Sequence, residues 1–307
     1  MRILVTGASG LLGLNLALQA AEKHQVTGVV NTANLKTDAF NLRQVNLLSP
    51  GALQALVADE KPEWIIHCAA LANVDDCQDD PVLAGKLNAD LPGEIAQLAA
   101  QTGARMVHIS TDAVFDGQRG DYTEEDVPNP LSVYARTKLA GEQAVLEANP
   151  KAIVARVNFY GWSLSGDRSL AEFFYNNLSS GKQMNGFQDV KFCPLLANHL
   201  ADALLLMLGR ELSGLYHVVG PECLTKYEFG RRLAACFGFD PDLISPVPVA
   251  EAGLKAPRSP NLTLRVGKLT RDLGEPLPGI DAGIEQLFEL YQQGYPKKLK
   301  ALQTTNN

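Results

Sequence analysis

Ile3-Leu4-Val5-Thr6-Gly7-Ala8-Ser9-Gly10-Leu11-Leu12-Gly13 stands almost at the start of a 307-residue chain, and its reading decides the fold. A short apolar run leads into glycines at every third position, and a helix-forming stretch, Leu11–Lys23, follows directly. Glycines so spaced let the chain turn tightly and let backbone N–H groups approach a pyrophosphate, while the helix N-terminus behind them adds partial positive charge. A plain strand-to-helix turn is the alternative. The position between a first strand and a first helix favours a dinucleotide site held by Gly7, Gly10, Leu11, Leu12 and Gly13.

Outward from this loop, strand-like and helix-like segments alternate. The strand candidates are Arg2–Thr6, Val26–Val30, Trp64–Cys68, Arg105–Ser110 and Ala152–Arg156, each short and mostly apolar, as in a parallel sheet covered on both faces. Helical stretches at Leu11–Lys23, Pro81–Gln101 and Val133–Glu147 lie between them. The alternation predicts an α/β fold, a Rossmann-type doubly wound parallel sheet with a smaller C-terminal substrate lobe. Residues 1–160, with about 190–220, form the expected NAD(P)-binding domain. Residues 161–189 and 221–295 form the lobe, with helices near Leu170–Leu178, Tyr227–Phe237 and Ala282–Gln292. Helix Asn198–Leu208 and strand Leu215–Val219 return to the sheet. Residues 296–307 read as a frayed basic tail.

Composition narrows the classes. The net charge is −7, with 46% hydrophobic and 20% charged residues, which is ordinary globular usage and argues against a nucleic-acid binder. No apolar stretch nears the ~18 residues of a membrane span. Met1-Arg2 runs straight into the first strand, so no leader is expected and the setting reads as cytoplasmic. The cysteines Cys68, Cys77, Cys193, Cys223 and Cys236 show no CxxC spacing and read as reduced thiols. The histidines lack ligand spacing, so no metal is read.

Chemistry concentrates in two places. Tyr134 and Lys138 lie four apart on one helix face, and Tyr134 alone among eight tyrosines has a lysine at that distance. A nearby ammonium is expected to lower the phenol's pKa and make it a usable general acid. Ser110-Thr111-Asp112 ends a strand at the sheet edge where ligands bind, and Thr111 is placed to donate to a carbonyl oxygen. At the end of the second strand, Val30-Asn31-Thr32 offers no carboxylate to repel a 2′-phosphate. Asn31 therefore favours NADP(H), with NAD(H) possible, and Lys36 and Arg43 are the nearby cations.

Thr6–Gly13, Ser110-Thr111-Asp112-Ala113-Val114-Phe115-Asp116-Gly117 and Tyr134-Ala135-Arg136-Thr137-Lys138-Leu139-Ala140-Gly141-Glu142 together resemble the extended short-chain dehydrogenase/reductases. Within them the chain is most similar to dTDP-4-dehydrorhamnose reductases, a resemblance that extends to Gly214-Leu215-Tyr216-His217-Val218 and Pro257-Arg258-Ser259-Pro260-Asn261. It implies a catalytic set of Thr111, Tyr134 and Lys138. It also implies cofactor contacts from Cys68-Ala69-Ala70, with Ala69 and Ala70 in the site, and substrate contacts from Thr111, Asp112 and Tyr134. The substrate implied is a 4-keto-6-deoxy nucleotide sugar, reduced with NAD(P)H. Ala113 stands where the family usually has tyrosine, and no tryptophan precedes Tyr160-Gly161, departures that bear on the sugar.

Two other readings stay open. Tyr122-Thr123-Glu124-Glu125-Asp126 and Thr225-Lys226-Tyr227-Glu228 are also similar to the regulatory beta subunit of methionine adenosyltransferase, a non-catalytic relative. An epimerase or dehydratase that keeps NAD bound is the third. Arg258 is a candidate for the substrate diphosphate, because guanidinium suits bidentate phosphate binding. His67 reads as a structural histidine, and Asp75, Asp76, Asp79 and Asp80 as helix-dipole complements on a solvated face. The oligomeric state is not legible, although homodimers through sheet-flanking helices are common for the fold.

Overall fold

The computed structural model describes residues 1–252 and 259–303. The first half runs β1 (Arg2–Thr6), α1 (Leu11–Ala21), β2 (Gln25–Val30), β3 (Asn41–Gln44), α2 (Ala52–Glu60) and β4 (Trp64–His67). It continues through α3 (Val74–Asp79), α4 (Pro81–Gly85), α5 (Leu91–Thr102), β5 (Arg105–Thr111), α6 (Val133–Ala148) and β6 (Ile153–Val157). The second half adds β7 (Phe159–Tyr160), α7 (Leu170–Leu178), β8 (Met184–Phe187), β9 (Lys191–Phe192), β10 (Leu195–Leu196), α8 (Ala197–Gly209) and β11 (Gly214–Val218). After it come β12 (Leu224–Thr225), α9 (Lys226–Phe237), β13 (Ile244–Val247), α10 (Gly267–Leu273), α11 (Ile280–Gln292) and α12 (Tyr295–Ala301).

Seven strands form one sheet in the order β11-β6-β5-β4-β1-β2-β3, and every pair is parallel. Chain order reverses between β1 and β4, the switch point where ligands of doubly wound sheets bind. Alternation along each strand feeds two cores. Ile3 and Val5 of β1 face the layer that contains Leu14, Leu16, Leu200 and Leu204 from α1 and α8. Leu4 faces the layer of Leu53, Ile95 and Val145 from α2, α5 and α6. The expected strands and long helices stand within a residue or two of their predicted ends, Leu11–Lys23 included, and the main differences are four.

The helix expected over Pro81–Gln101 is broken. Lys86–Asp90 forms a π-turn between α4 and α5. Pro92 lacks the N–H that a continuous helix would use there, and the wider turn relieves that break. β3 and α2 were not expected, since β3 is a polar edge strand, Asn-Leu-Arg-Gln, without the apolar run that marks the others.

The tail expected to fray over residues 296–307 is helical and docked as far as it is described, and residues 304–307 lie outside the described residues. α12 buries Leu299, Tyr295 Oη donates to Asn15 Oδ1 at 2.9 Å, and Lys36 N donates to Leu302 O at 2.8 Å. Tyr295, bonded to α1, and Leu299, in the core, dock it despite its lysines.

Cys193 and Cys223 are joined in a disulfide, which corrects the reading of five thiols. β9 and β12 pair antiparallel with Phe192 opposite Leu224, so the next register pair is Cys193 and Cys223, 4.1 Å apart at Cα. Cys68, Cys77 and Cys236 are free. Among the described residues no helix is long and apolar enough to cross a membrane.

Candidate active site

Gly7 leaves β1 with φ +70°, and a Cβ there would lie 2.7 Å from Ala69 N, so only glycine lets the loop pass the segment after β4. At Gly13 a Cβ would stand 2.3 Å from Gly7 O, which seats α1 tightly on the loop. Gly10 is the N-cap of α1, which has no side-chain cap and no acidic residue in its first turn. Its first N–H groups are therefore available to an anion.

A cavity of about 250 Å³ opens on this loop. Gly7, Ser9, Gly10, Asn31, Asn46, Cys68, Ala69 and Ala70 are on its wall. Leu11, Leu12 and Gly13 do not line it; they start the helix, and Leu12 is buried in the core. The cleft thus fits a dinucleotide on backbone grounds. Thr6 Oγ1 accepts from Ala69 N at 3.3 Å and lies 2.7 Å from His67 Nδ1, fixing the wall. His67 is buried, stacked on His108 at 5.5 Å, and burial lowers its pKa to about 3. Of the cations near Asn31, Arg43 is paired with Glu60 at 2.6 Å and Asp59 at 3.2 Å.

Tyr134 lines a second cavity of about 240 Å³ with Ala113, Ser132, Asn158, Lys191 and Lys226. Ser132 caps α6 by accepting from Ala135 N at 3.2 Å, so the helix begins at Val133 and presents Tyr134 in its first turn. One turn on, Lys138 is 2% exposed and donates to Ile109 O at 2.6 Å, with His108 Nε2 at 3.4 Å. Burial brings its ammonium down to about 8.

The expectation that Lys138 lowers the phenol's pKa is not met. Burial pushes Tyr134 up to about 12, the Thr111 hydrogen bond opposes this, and the Asp112 carboxyl adds to it. The ammonium is directed at the Ile109 carbonyl instead. Tyr134 is consequently a protonated phenol at neutral pH, the form that donates.

Thr111 Oγ1 lies 3.1 Å from Asp112 Oδ1, accepts from Ala113 N at 3.2 Å and is hydrogen-bonded to the Tyr134 phenol, so Asp112 and Tyr134 compete for its single proton. Asn158 Nδ2 holds the other oxygen, Oδ2, at 2.6 Å. Burial raises Asp112 to about 6, against these hydrogen bonds and the charge of Lys226. Protonation of Asp112 would release the Thr111 hydroxyl to other acceptors.

A buried ion pair anchors these elements. Arg156 of β6 binds Glu142 of α6 at 2.8 Å through Nη2, both under 5% exposed, and Ser110 Oγ donates to the same carboxylate at 2.5 Å. Glu142 is one turn beyond Lys138, so the face that carries Tyr134 and Lys138 is fastened to the strand ends.

Several residues that shape the two cavities escaped the sequence reading. Asn88, in the π-turn, accepts from Leu71 N at 2.9 Å and donates to Leu71 O at 3.0 Å and Thr137 Oγ1 at 3.1 Å, joining the cofactor wall to α6. Pro92 inside a helical pattern was the available signal. Lys191 and Lys226 stand together because β9 and β12 pair, and Lys226 N donates to Val190 O at 3.1 Å. No local spacing announces that. Arg258 lies outside the described residues.

A doubly wound sheet, a glycine loop at its switch point and a Tyr-x-x-x-Lys helix beside it define an extended short-chain dehydrogenase/reductase fold. The chain belongs to the family of the RmlD substrate binding domain, whose model matches residues 1–293. It is 31% identical over 300 residues, 95% of this chain and 99% of the relative, to the probable low-salt glycan biosynthesis reductase Agl14 of Haloferax volcanii. It is 35% identical over 289 residues to methionine adenosyltransferase 2 subunit beta of Bos taurus, covering 88% and 84% of the two chains. The dTDP-4-dehydrorhamnose reductase of Bacillus anthracis, solved in complex with NADP, superposes with a TM-score of 0.80 at 25% identity, over 94% of this chain and 98% of that one.

Proposed function

We propose that the protein reduces a 4-keto-6-deoxy nucleotide sugar with NAD(P)H, NADP(H) being favoured because Asn31 brings no carboxylate to the end of β2. The observation that carries this reading is the second cavity, where the phenol of Tyr134 shares a wall with the two cations Lys191 and Lys226. A proton donor on the same cavity wall as two lysines suits a carbonyl compound that bears a diphosphate.

The cofactor, when bound, supplies hydride to the carbonyl carbon. Gly7, Gly10 and the first N–H groups of α1 hold its diphosphate, and Asn31, Ala69 and Ala70 flank it. Tyr134 gives its proton to the carbonyl oxygen as charge develops there. Lys138, held by Ile109 O one turn beyond Tyr134, would orient the ribose, and the phenolate left on Tyr134 regains its proton from solvent through the open cavity. Asp112 holds Thr111 against Tyr134, and Lys191 and Lys226 take the diphosphate of the sugar nucleotide.

A second reading is supported by the methionine adenosyltransferase subunit and by Ala113, which removes the hydroxyl of the tyrosine usual at that place: a non-catalytic, NADP-binding regulatory subunit. A screen of NADPH oxidation over dTDP-, UDP- and GDP-linked 4-keto sugars separates the two. Turnover with one of them is the expected result; tight NADPH binding with no turnover on any of them contradicts the reductase.

A further inference from the structure

The loop between β7 and α7, residues 161–169, is built on one buried carboxylate. Glu172 is fully buried and accepts from Ser163 N at 2.6 Å, from Ser163 Oγ at 2.8 and 2.9 Å, from Arg168 N at 2.8 Å and from Ser169 N at 3.1 Å. Ser169 Oγ closes the loop by donating to Gly161 O at 2.7 Å. Four donors converging on one carboxylate give the segment a single shape.

The root of that loop is fixed to α1. Asn15 Nδ2 donates to Trp162 O at 2.9 Å, and a Cβ on Gly161 would lie 3.8 Å from Leu11 Cδ2, the first residue of the helix. The loop therefore stands over the uncapped N-terminus of α1. From it the exposed Arg168 side chain reaches the wall of the cavity that Gly7, Ser9 and Gly10 form on the other side. Arg168 makes no ion pair with any described residue, unlike Arg43. Two residues on, Leu170 lines the cavity of Tyr134.

We infer that Arg168 is a cofactor-binding residue that clamps the dinucleotide's bridging diphosphate against the N-terminus of α1. This rests on the cofactor reading of the glycine loop and adds to it a cation contributed from beyond β7. Guanidinium binds phosphate oxygens through paired N–H groups, and the diphosphate is common to NADH and NADPH. With Leu170 on the neighbouring cavity, the same rigid loop touches both ligand sites, so seating the diphosphate seats the wall next to the sugar.

Calorimetric titration of the full chain with NADPH and with NADH, comparing the unaltered protein with Arg168→Ala and Arg168→Lys, tests this. A charge-assisted hydrogen bond of this kind predicts a loss of about tenfold or more in Arg168→Ala for both dinucleotides, with a smaller loss in Arg168→Lys. The main-chain bond from residue 168 to Glu172 survives either change, and equal melting temperatures check that the fold does too. Unchanged affinity in Arg168→Ala, or a loss confined to NADPH, overturns the diphosphate assignment while leaving the cofactor reading intact. An unaltered protein that binds neither dinucleotide overturns both.

Discussion

Tyr134 and Asp112 are the residues whose protonation states organise the site. Burial keeps Tyr134 a phenol at neutral pH and raises Asp112 to about 6. Tyr134→Phe should leave NADPH affinity within twofold and cut turnover by roughly 10² to 10⁴, the usual contribution of a placed proton donor; steady-state rates beside a binding titration check it. Asp112 is harder on stability than on binding. Its folded pKa is raised above the ordinary carboxylate value, so between about pH 4 and 6 the folded state holds the extra proton and stability falls as pH rises through that window. Asp112→Asn should remove this loss, which opposes the larger gain that the buried histidines bring as pH rises, so the rise in denaturant midpoint from pH 5 to pH 8 should be larger in the variant than in the parent. The glycine loop and the Tyr134–Lys138 pair were legible in the sequence because each is local, set by turn geometry and one helical turn. Asn88, Lys191, Lys226 and Arg168 were not, because their company comes from a π-turn, a strand register and a loop folded back on α1.

At the scale of elements, α6 is the part that must not move. It carries Tyr134 and Lys138, and its inner face is held by Glu142 on Arg156, which also lies over the Phe115 ring at 4.9 Å. Removing one partner leaves a buried charge uncompensated. Glu142→Ala should therefore destabilise the protein by about 3 to 5 kcal/mol, read as a lower midpoint of urea unfolding, far more than loss of an exposed pair such as Arg232–Asp281. The Cys193–Cys223 link should appear as one disulfide-joined peptide pair in non-reducing digests, with Cys68, Cys77 and Cys236 alkylated without prior reduction. The strands of the central sheet other than β3, and the helices α1, α6, α7, α8, α9 and α11, could be read from apolar runs and 3.6-residue spacing. The exceptions have physical causes: β3 is a polar edge strand, Pro92 breaks a helix that the pattern runs together, and α12 docks through two side chains whose partners lie on α1 and in the core.

The whole molecule is acidic, yet positive groups stand on the walls of two cavities: the α1 N-terminus and Arg168 on one, Lys191 and Lys226 on the other. Net charge said little about ligands; placement says more. The fold also buries His67, His108 and His217, all held neutral chiefly by burial, which lowers their pKa values. Below pH 6.5 the unfolded chain gains their protons and the folded chain does not, so these three groups outweigh the opposite effect of Asp112. Melting temperature should accordingly drop between pH 7 and 5, and saturating NADPH should raise it at either pH. The central claim is that Tyr134 protonates a carbonyl while hydride arrives from the dinucleotide in the glycine cleft. Single-turnover reaction with NADPH deuterated at the transferred position, followed by mass spectrometry of the sugar nucleotide, tests it most directly. The account predicts one deuterium on the former carbonyl carbon with the unaltered protein, and transfer roughly 10² to 10⁴ times slower with Tyr134→Phe at equal cofactor occupancy; equal rates of deuterium transfer by both proteins, or none by either on any 4-keto sugar nucleotide, contradict it.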